Sequence, residues 1–172
     1  MKNIKELTIR LFPYLLAVLF FTACEDDEEK NKDYFGQWES NAYDSYSTQG
    51  VAIKEKMVFT FTNTTFEDEI YQGLTADALA IAVGIRGDIQ NPEQGIMDAE
   101  INEIAIQGGA YTDKNTDSTA FYTKFNGSIG AMLYEEFSLD YTIDVDTMLL
   151  ELPVKNPLGG DDITETLRLY RQ

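Results

Sequence analysis

The sequence predicts an all-β domain, an antiparallel meander closed into a barrel of eight to ten strands. Three observations carry this. From Tyr34 onward apolar residues recur at every second position, the period of a strand with one buried face. The turns between several of these runs are so short that the strands they join must be antiparallel neighbours. Helical periodicity is weak throughout.

The elements follow in chain order. Met57, Phe59 and Phe61 alternate with Val58, Thr60 and Thr62, and Asn63-Thr64 then turns the chain toward Phe66. Leu79, Ile81, Val83, Ile85 and Ile89 share one parity, while Ala78, Ala80, Ala82, Gly84 and Arg86 take the other. In Ala99–Ile106 the pattern slips: Ile101 falls on one parity, Ile104 and Ile106 on the other. A bulge or turn near Asn102 reconciles them. Phe137, Leu139, Tyr141, Ile143 and Val145 form the next apolar row, and Asp144-Val145-Asp146 leads into Met148, Leu150 and Leu152. Leu167 and Leu169 mark the last strand. Thr75–Ala80 and Gly130–Phe137 each suit one helical turn. Tyr111–Thr119 and Asn156–Asp162 read as polar loops. Sandwiches and up-and-down barrels both fit this spacing, and the frequent short hairpins favour the barrel, which also removes exposed strand edges.

Composition narrows the function. The 172 residues carry a net charge of −17, with no histidine and a single cysteine, Cys24. The first 23 residues hold Lys2, Lys5 and Arg10 against Glu6, so removing them takes the charge from −17 to −19. Such a surface repels phosphate backbones, which argues against nucleic acid as a partner, and it repels anionic head groups as well. Without His or a second Cys, Ser-His-Asp triads, Cys-His dyads, His-ligated metals and intrachain disulfides are excluded. No catalytic residue, metal or cofactor is assigned, and a non-enzymatic role is expected.

The amino-terminal segment reads as a signal peptide. Residues 1–10 are short and basic; residues 11–23 are apolar, include Pro13, and at about 1.5 Å per residue fall short of a ~30 Å hydrocarbon core. Phe21-Thr22-Ala23-Cys24 resembles the lipobox of bacterial lipoproteins, with Phe21 where Leu is usual. The resemblance implies cleavage before Cys24 and lipid attachment to it; the plainer alternative is a free thiol beside an ordinary cleavage site. Acyl chains that gain about 0.8 kcal/mol per buried methylene would hold an acidic domain lacking membrane affinity of its own. Glu25–Glu29 follow as a run of like charge, a solvated tether. The run also resembles the acidic cluster that marks surface export in Bacteroidota-type lipoproteins. The expected organisation is a signal peptide over 1–23, a lipidated acidic tether over 24–33, and a barrel domain over 34–172.

The domain begins Phe35-Gly36-Gln37-Trp38. A Gly-x-Trp at the first strand, followed by a meander, resembles the lipocalin signature. The resemblance implies a lipocalin-like barrel whose Trp closes the base, with an arginine from the last strand lying across it. Arg168 and Arg171 are the candidates, and alternation does not choose between them. The order of lipobox, acidic tether, Gly-x-Trp and meander is similar to that of lipocalin-like lipoproteins of Bacteroidota. It implies an outer-membrane, surface-exposed protein that binds a small apolar or amphipathic ligand, or a protein partner. The alternative is a structural, adhesive or accessory interaction module with no small ligand.

Other candidates are local. Asp113-Lys114-Asn115-Thr116-Asp117 has the D-x-N-x-D spacing of a calcium loop, but Ser118 and Lys124 stand where Gly and Glu belong, so a polar hairpin loop is expected. Asp117-Ser118-Thr119 and Asp146-Thr147-Met148 resemble O-glycosylation motifs of exported Bacteroidota proteins, making Ser118 and Thr147 candidate acceptors in expected turns. Tyr43, Tyr46, Tyr71, Tyr111 and Tyr122 suit either a pocket mouth, a sugar-binding face or rim packing. Glu135-Glu136 and Asp161-Asp162 are adjacent in sequence and point to opposite faces of a strand, so neither makes a ready acid/base pair.

Overall fold

The strand that opens the fold also closes it. In the computed structural model, which describes residues 33–46, 52–130, 132–156 and 160–172, β1 (Gly36–Ser40) pairs on one side with β3 (Ala52–Phe61) and on the other with β10 (Ile163–Arg171). Among the described residues the remaining strands are β2 (Tyr43–Tyr46), β4 (Thr65–Gly73), β5 (Ala80–Glu93), β6 (Ile96–Ile106), β7 (Thr112–Asp113), β8 (Glu136–Asp144) and β9 (Thr147–Val154), and one helix, α1, spans Ser118–Ser128. All pairings are antiparallel, and the order β1-β10-β9-β8-β6-β5-β4-β3-β1 is a closed eight-stranded barrel. β2 adds to β3, and β7 adds to β6. The expected all-β, lipocalin-like meander is therefore what the chain forms. The expected signal peptide, Cys24 and the acidic run lie outside the described residues, as does all of the expected tether but Asp33.

The period-two pattern sets the two faces. Trp38, Phe59, Phe61, Phe66, Ile85, Met97, Ile101, Leu139, Met148, Leu150 and Leu169 are all buried in one core. Outside, Lys54 pairs with Asp44 at 2.6 Å and Lys56 with Glu39 at 2.5 Å. One end of the barrel is packed solid: Tyr34, Trp38, Phe61, Met97, Met148 and Leu169 are at most 2% exposed. Tyr34 meets Phe61 and Tyr141 edge to face, a favoured aromatic geometry.

Two bulges bend the sheet. Arg86 pairs with Glu103 but Gly87 with Ile101, which leaves Asn102 as the extra residue that the parity slip anticipated. A Cβ on Gly87 would stand 2.1 Å from the Glu100 carbonyl and 2.5 Å from Phe66, so this bend requires glycine. The second bulge leaves Ala82 without a partner on β4, between the Ile70–Val83 and Tyr71–Ile81 pairs, while its carbonyl accepts from the Gln107 N–H at 2.8 Å.

Two local readings are corrected. Gly130–Phe137 makes no helix among its described residues; Glu136 and Phe137 open β8 instead. The polar stretch from Tyr111 to Thr119 is not one loop, since it holds β7 and the start of α1. Asp117 caps that helix by accepting from the Ala120 N–H at 3.0 Å, and Phe121 and Phe125 form its buried stripe, which the buried Ile129 just past its end continues. The helix lies between β7 and β8 in the chain and packs against both β6 and β7.

Candidate functional site

Above its solid floor the barrel encloses a cavity of about 500 Å³. The walls are apolar: Met57 and Phe59 from β3, Phe66 and Ile70 from β4, Val83 and Ile85 from β5, Ile101 and Ile106 from β6, Phe137 and Leu139 from β8, Leu152 and Val154 from β9. Ile129 and Leu133, just past α1, complete the wall where β6 and β8 part company. Gln107, Gly127, Ser128, Met132 and Glu165 line the same space yet are exposed, so they form its rim.

Besides Ser45 on β2, four polar strand side chains interrupt this lining, and each of the four occupies the inward parity of its strand. Glu55 precedes Met57, Phe59 and Phe61 on β3; Asp68 and Gln72 share the row of Phe66 and Ile70 on β4; Glu165 shares that of Leu167 and Leu169 on β10. The register pairs Glu55 with Gln72, Met57 with Ile70, Phe59 with Asp68 and Phe61 with Phe66. Asp68 thus lies two inward rungs below the Glu55–Gln72 pair, roughly 14 Å along the strand.

The three carboxylates differ in their partners. Both oxygens of Glu55 are engaged, one accepting from the Tyr43 hydroxyl at 2.5 Å and the other from the Gln72 amide at 2.7 Å. Glu165 is exposed at the rim. Asp68 is only 5% exposed, and its Oδ1 has no hydrogen-bond partner among the described residues. Burial, then the charges of Glu55 and Glu69, hold its carboxyl well above the usual carboxylate range. Burial, then the bond to Glu55, likewise pushes the Tyr43 hydroxyl up, so that it remains a donor. No Lys or Arg is among the lining residues.

The residues singled out by sequence are placed as follows. Gly36 adopts φ +109°, a conformation that favours glycine, and leads into Trp38. The guanidinium of Arg171 lies over the Trp38 ring, 4.5 Å from its centroid, while Arg168 is exposed on the outer face. Ser118 is the exposed first residue of α1, not a turn residue; Thr147 opens β9, half-buried and paired with Asp144.

Tyr71, Tyr111 and Tyr122 do not line the cavity. Each donates its hydroxyl to a carboxylate: Tyr71 to Glu69, Tyr111 to Glu67, Tyr122 to Glu135. The Glu69 bond, then burial, raises Tyr71 to about 12. The Tyr111 ring also lies 3.7 Å from the Arg86 guanidinium. The side chain of Tyr46 lies outside the described residues. Glu135 also binds Lys114, which bridges to Glu100 at 2.7 Å. Tyr134 donates to Asp162 at 3.1 Å.

The calcium-like run spends its carboxylates on backbone. Asp113 accepts from the N–H groups of Asn115 and Thr116, at 2.6 and 3.0 Å, and Asp117 caps α1. No group of three or more metal-ligating side chains forms among the described residues.

No protein-family model matches this sequence, and no curated protein matches it significantly.

Proposed function

We propose that the chain is a surface-exposed bacterial lipoprotein, anchored in the outer membrane through Cys24, whose lipocalin-like barrel binds a small apolar or amphipathic ligand. It acts as a carrier or receptor domain, not as an enzyme. The observation that carries the binding reading is the cavity of about 500 Å³. It falls within the roughly 300–1,000 Å³ range of small-molecule sites, has mostly apolar walls, and opens at a polar rim. Among the large exposed apolar residues of the described chain, Leu74 sits in the β4–β5 turn at the rim end, Val145 in the β8–β9 turn at the floor end, and Met132 at the cavity rim.

The anchoring reading rests on the lipobox-like Phe21-Thr22-Ala23-Cys24 and the acidic run behind it. The full chain, expressed in a bacterium of the type it resembles, is the right material for the test. Native mass spectrometry of the purified protein is expected to show a bound species of a few hundred daltons, released on denaturation. A protein that is always empty, and whose thermal stability no apolar probe raises, would end the ligand reading. Cys24→Ser is expected to move the protein from the membrane fraction to the soluble one, and protease added to intact cells should remove the wild-type domain. A protected domain would refute surface display.

A further inference from the structure

We infer that the cavity is built for an organic cation, an amphipathic ligand with a protonated amine or guanidinium head seated against Asp68 and an apolar body filling the space above it. The inference rests on the ligand-binding reading and names the ligand's chemical class. Its first support is Asp68 itself. A carboxyl 5% exposed, pointing into an apolar cavity with Oδ1 unpartnered, lacks the partner that buried carboxyls regularly have. The missing partner is a hydrogen-bond donor, and the best donor for a carboxylate in apolar surroundings carries positive charge.

The second support is the charge of the lining. It contains three acids and no base. The nearest lysines along β3, Lys54 and Lys56, face outward and are spent on Asp44 and Glu39. Glu55 is held by Tyr43 and Gln72, so it is not a partner for Asp68 and instead adds repulsion. A fatty acid would carry its charge past Glu165 at the rim and toward Glu55, and would leave Asp68 without a positive partner, whereas a cation favours the ionised form of that carboxyl. A cation would be drawn in by the same groups. The carboxyl-terminal end of α1 adds to this field, since Gly127 and Ser128 line the rim and a helix carries partial negative charge at that end. The apolar rungs above Asp68, Met57 with Ile70, then suit the ligand's hydrocarbon.

Three probes of one chain length separate the possibilities on the full chain: octylammonium, octanoate and octanol, each titrated by calorimetry near neutral pH. Octylammonium should bind about tenfold or more tighter than either of the others, as a charge-assisted bond to a buried carboxylate implies. In Asp68→Asn this preference should vanish, with octanol binding retained. Octanoate or octanol binding as tightly as octylammonium to the wild type would overturn the cationic assignment and leave a ligand-binding barrel. A preference that persists in Asp68→Asn would also overturn it, and Glu55→Gln would then show whether the rim carries it. Failure of all three probes, with no probe raising thermal stability, would remove the ligand-binding reading and this inference together. The wild-type comparison needs no variant to fold.

Discussion

Arg171 covers Trp38, and the two are also backbone partners across the β1–β10 seam, so one contact joins the first and last strands of the barrel. The indole N–H donates to the Tyr34 carbonyl at 2.8 Å, and the guanidinium donates to the Asp33 carbonyl. Arg171→Ala removes the cation–π contact and one charge-assisted bond. It is expected to cost about 1–2 kcal/mol in urea unfolding. Arg168→Ala, on the exposed outer face, is expected to stay within about 0.5 kcal/mol. Equal losses at both positions would contradict this account of the seam.

Asp68 makes stability depend on pH in an unusual direction. Its folded-state carboxyl titrates well above the value near 3.9 expected of an unfolded chain. The folded state then holds the proton more tightly, so the contribution is fully present below about pH 4 and is lost as pH rises through the folded value. Burial is the main cause, and the charges of Glu55 on β3 and Glu69 on its own strand add to it; Tyr43 from β2 is held by Glu55, Glu165 from β10 lies at the rim, and Ile85 stands opposite on β5. Asp68→Asn should therefore be more stable than wild type at pH 8, by about 1–3 kcal/mol, because the amide needs neither a proton taken up on folding nor a buried charge. The difference should shrink toward acid pH. A variant less stable than wild type at pH 8 would contradict the reading of Asp68 as unpartnered.

Val145 stores strain in the β8–β9 hairpin. Its φ is +55°, the left-handed region that β-branched residues avoid, and it is 81% exposed. The alternation of β8 runs through Val145, but Asp144 pairs with Thr147, so Val145 and Asp146 form a two-residue turn. Val145→Gly should stabilise the protein by about 1 kcal/mol, the strain of the left-handed valine exceeding the added chain entropy. Chemical denaturation checks this, and a destabilised variant would mean that the valine side chain makes a contact worth more than its strain.

The facing of most strands was legible because alternation is a local property. Phe137, Leu139 and Tyr141 needed only their own neighbours in sequence to be assigned inward. Helix α1 was not read, since Thr119, Thr123, Asn126 and Gly127 are poor helix formers. Its signal was nevertheless present, in the cap Asp117 and the spacing of Phe121, Phe125 and Ile129. The choice of Arg171 over Arg168 depends on the register of β10 against β1, which joins residues more than a hundred positions apart. The polar groups of the cavity were half legible. Asp68 between Phe66 and Ile70 marks an ionisable residue at an apolar parity, but that Glu55, Asp68 and Glu165 share one space follows only from barrel closure.

Filling the cavity offers the most direct handle on function. Ala82 lines it from the β5 bulge, half-buried, where the backbone has no register partner on β4. A larger side chain there projects into space that holds no protein atoms, so Ala82→Trp should change stability by less than about 1.5 kcal/mol, in contrast to overpacking a filled core. It should weaken octanol and octylammonium alike, because it removes volume and leaves Asp68 untouched. Thr166→Trp, on the outer face of β10, should leave both affinities as they were. Asp68→Asn removes charge discrimination and Ala82→Trp removes capacity. If Ala82→Trp selectively spared octylammonium, the charged head would be held at the rim, by Glu55 or Glu165, and not in the depth of the barrel.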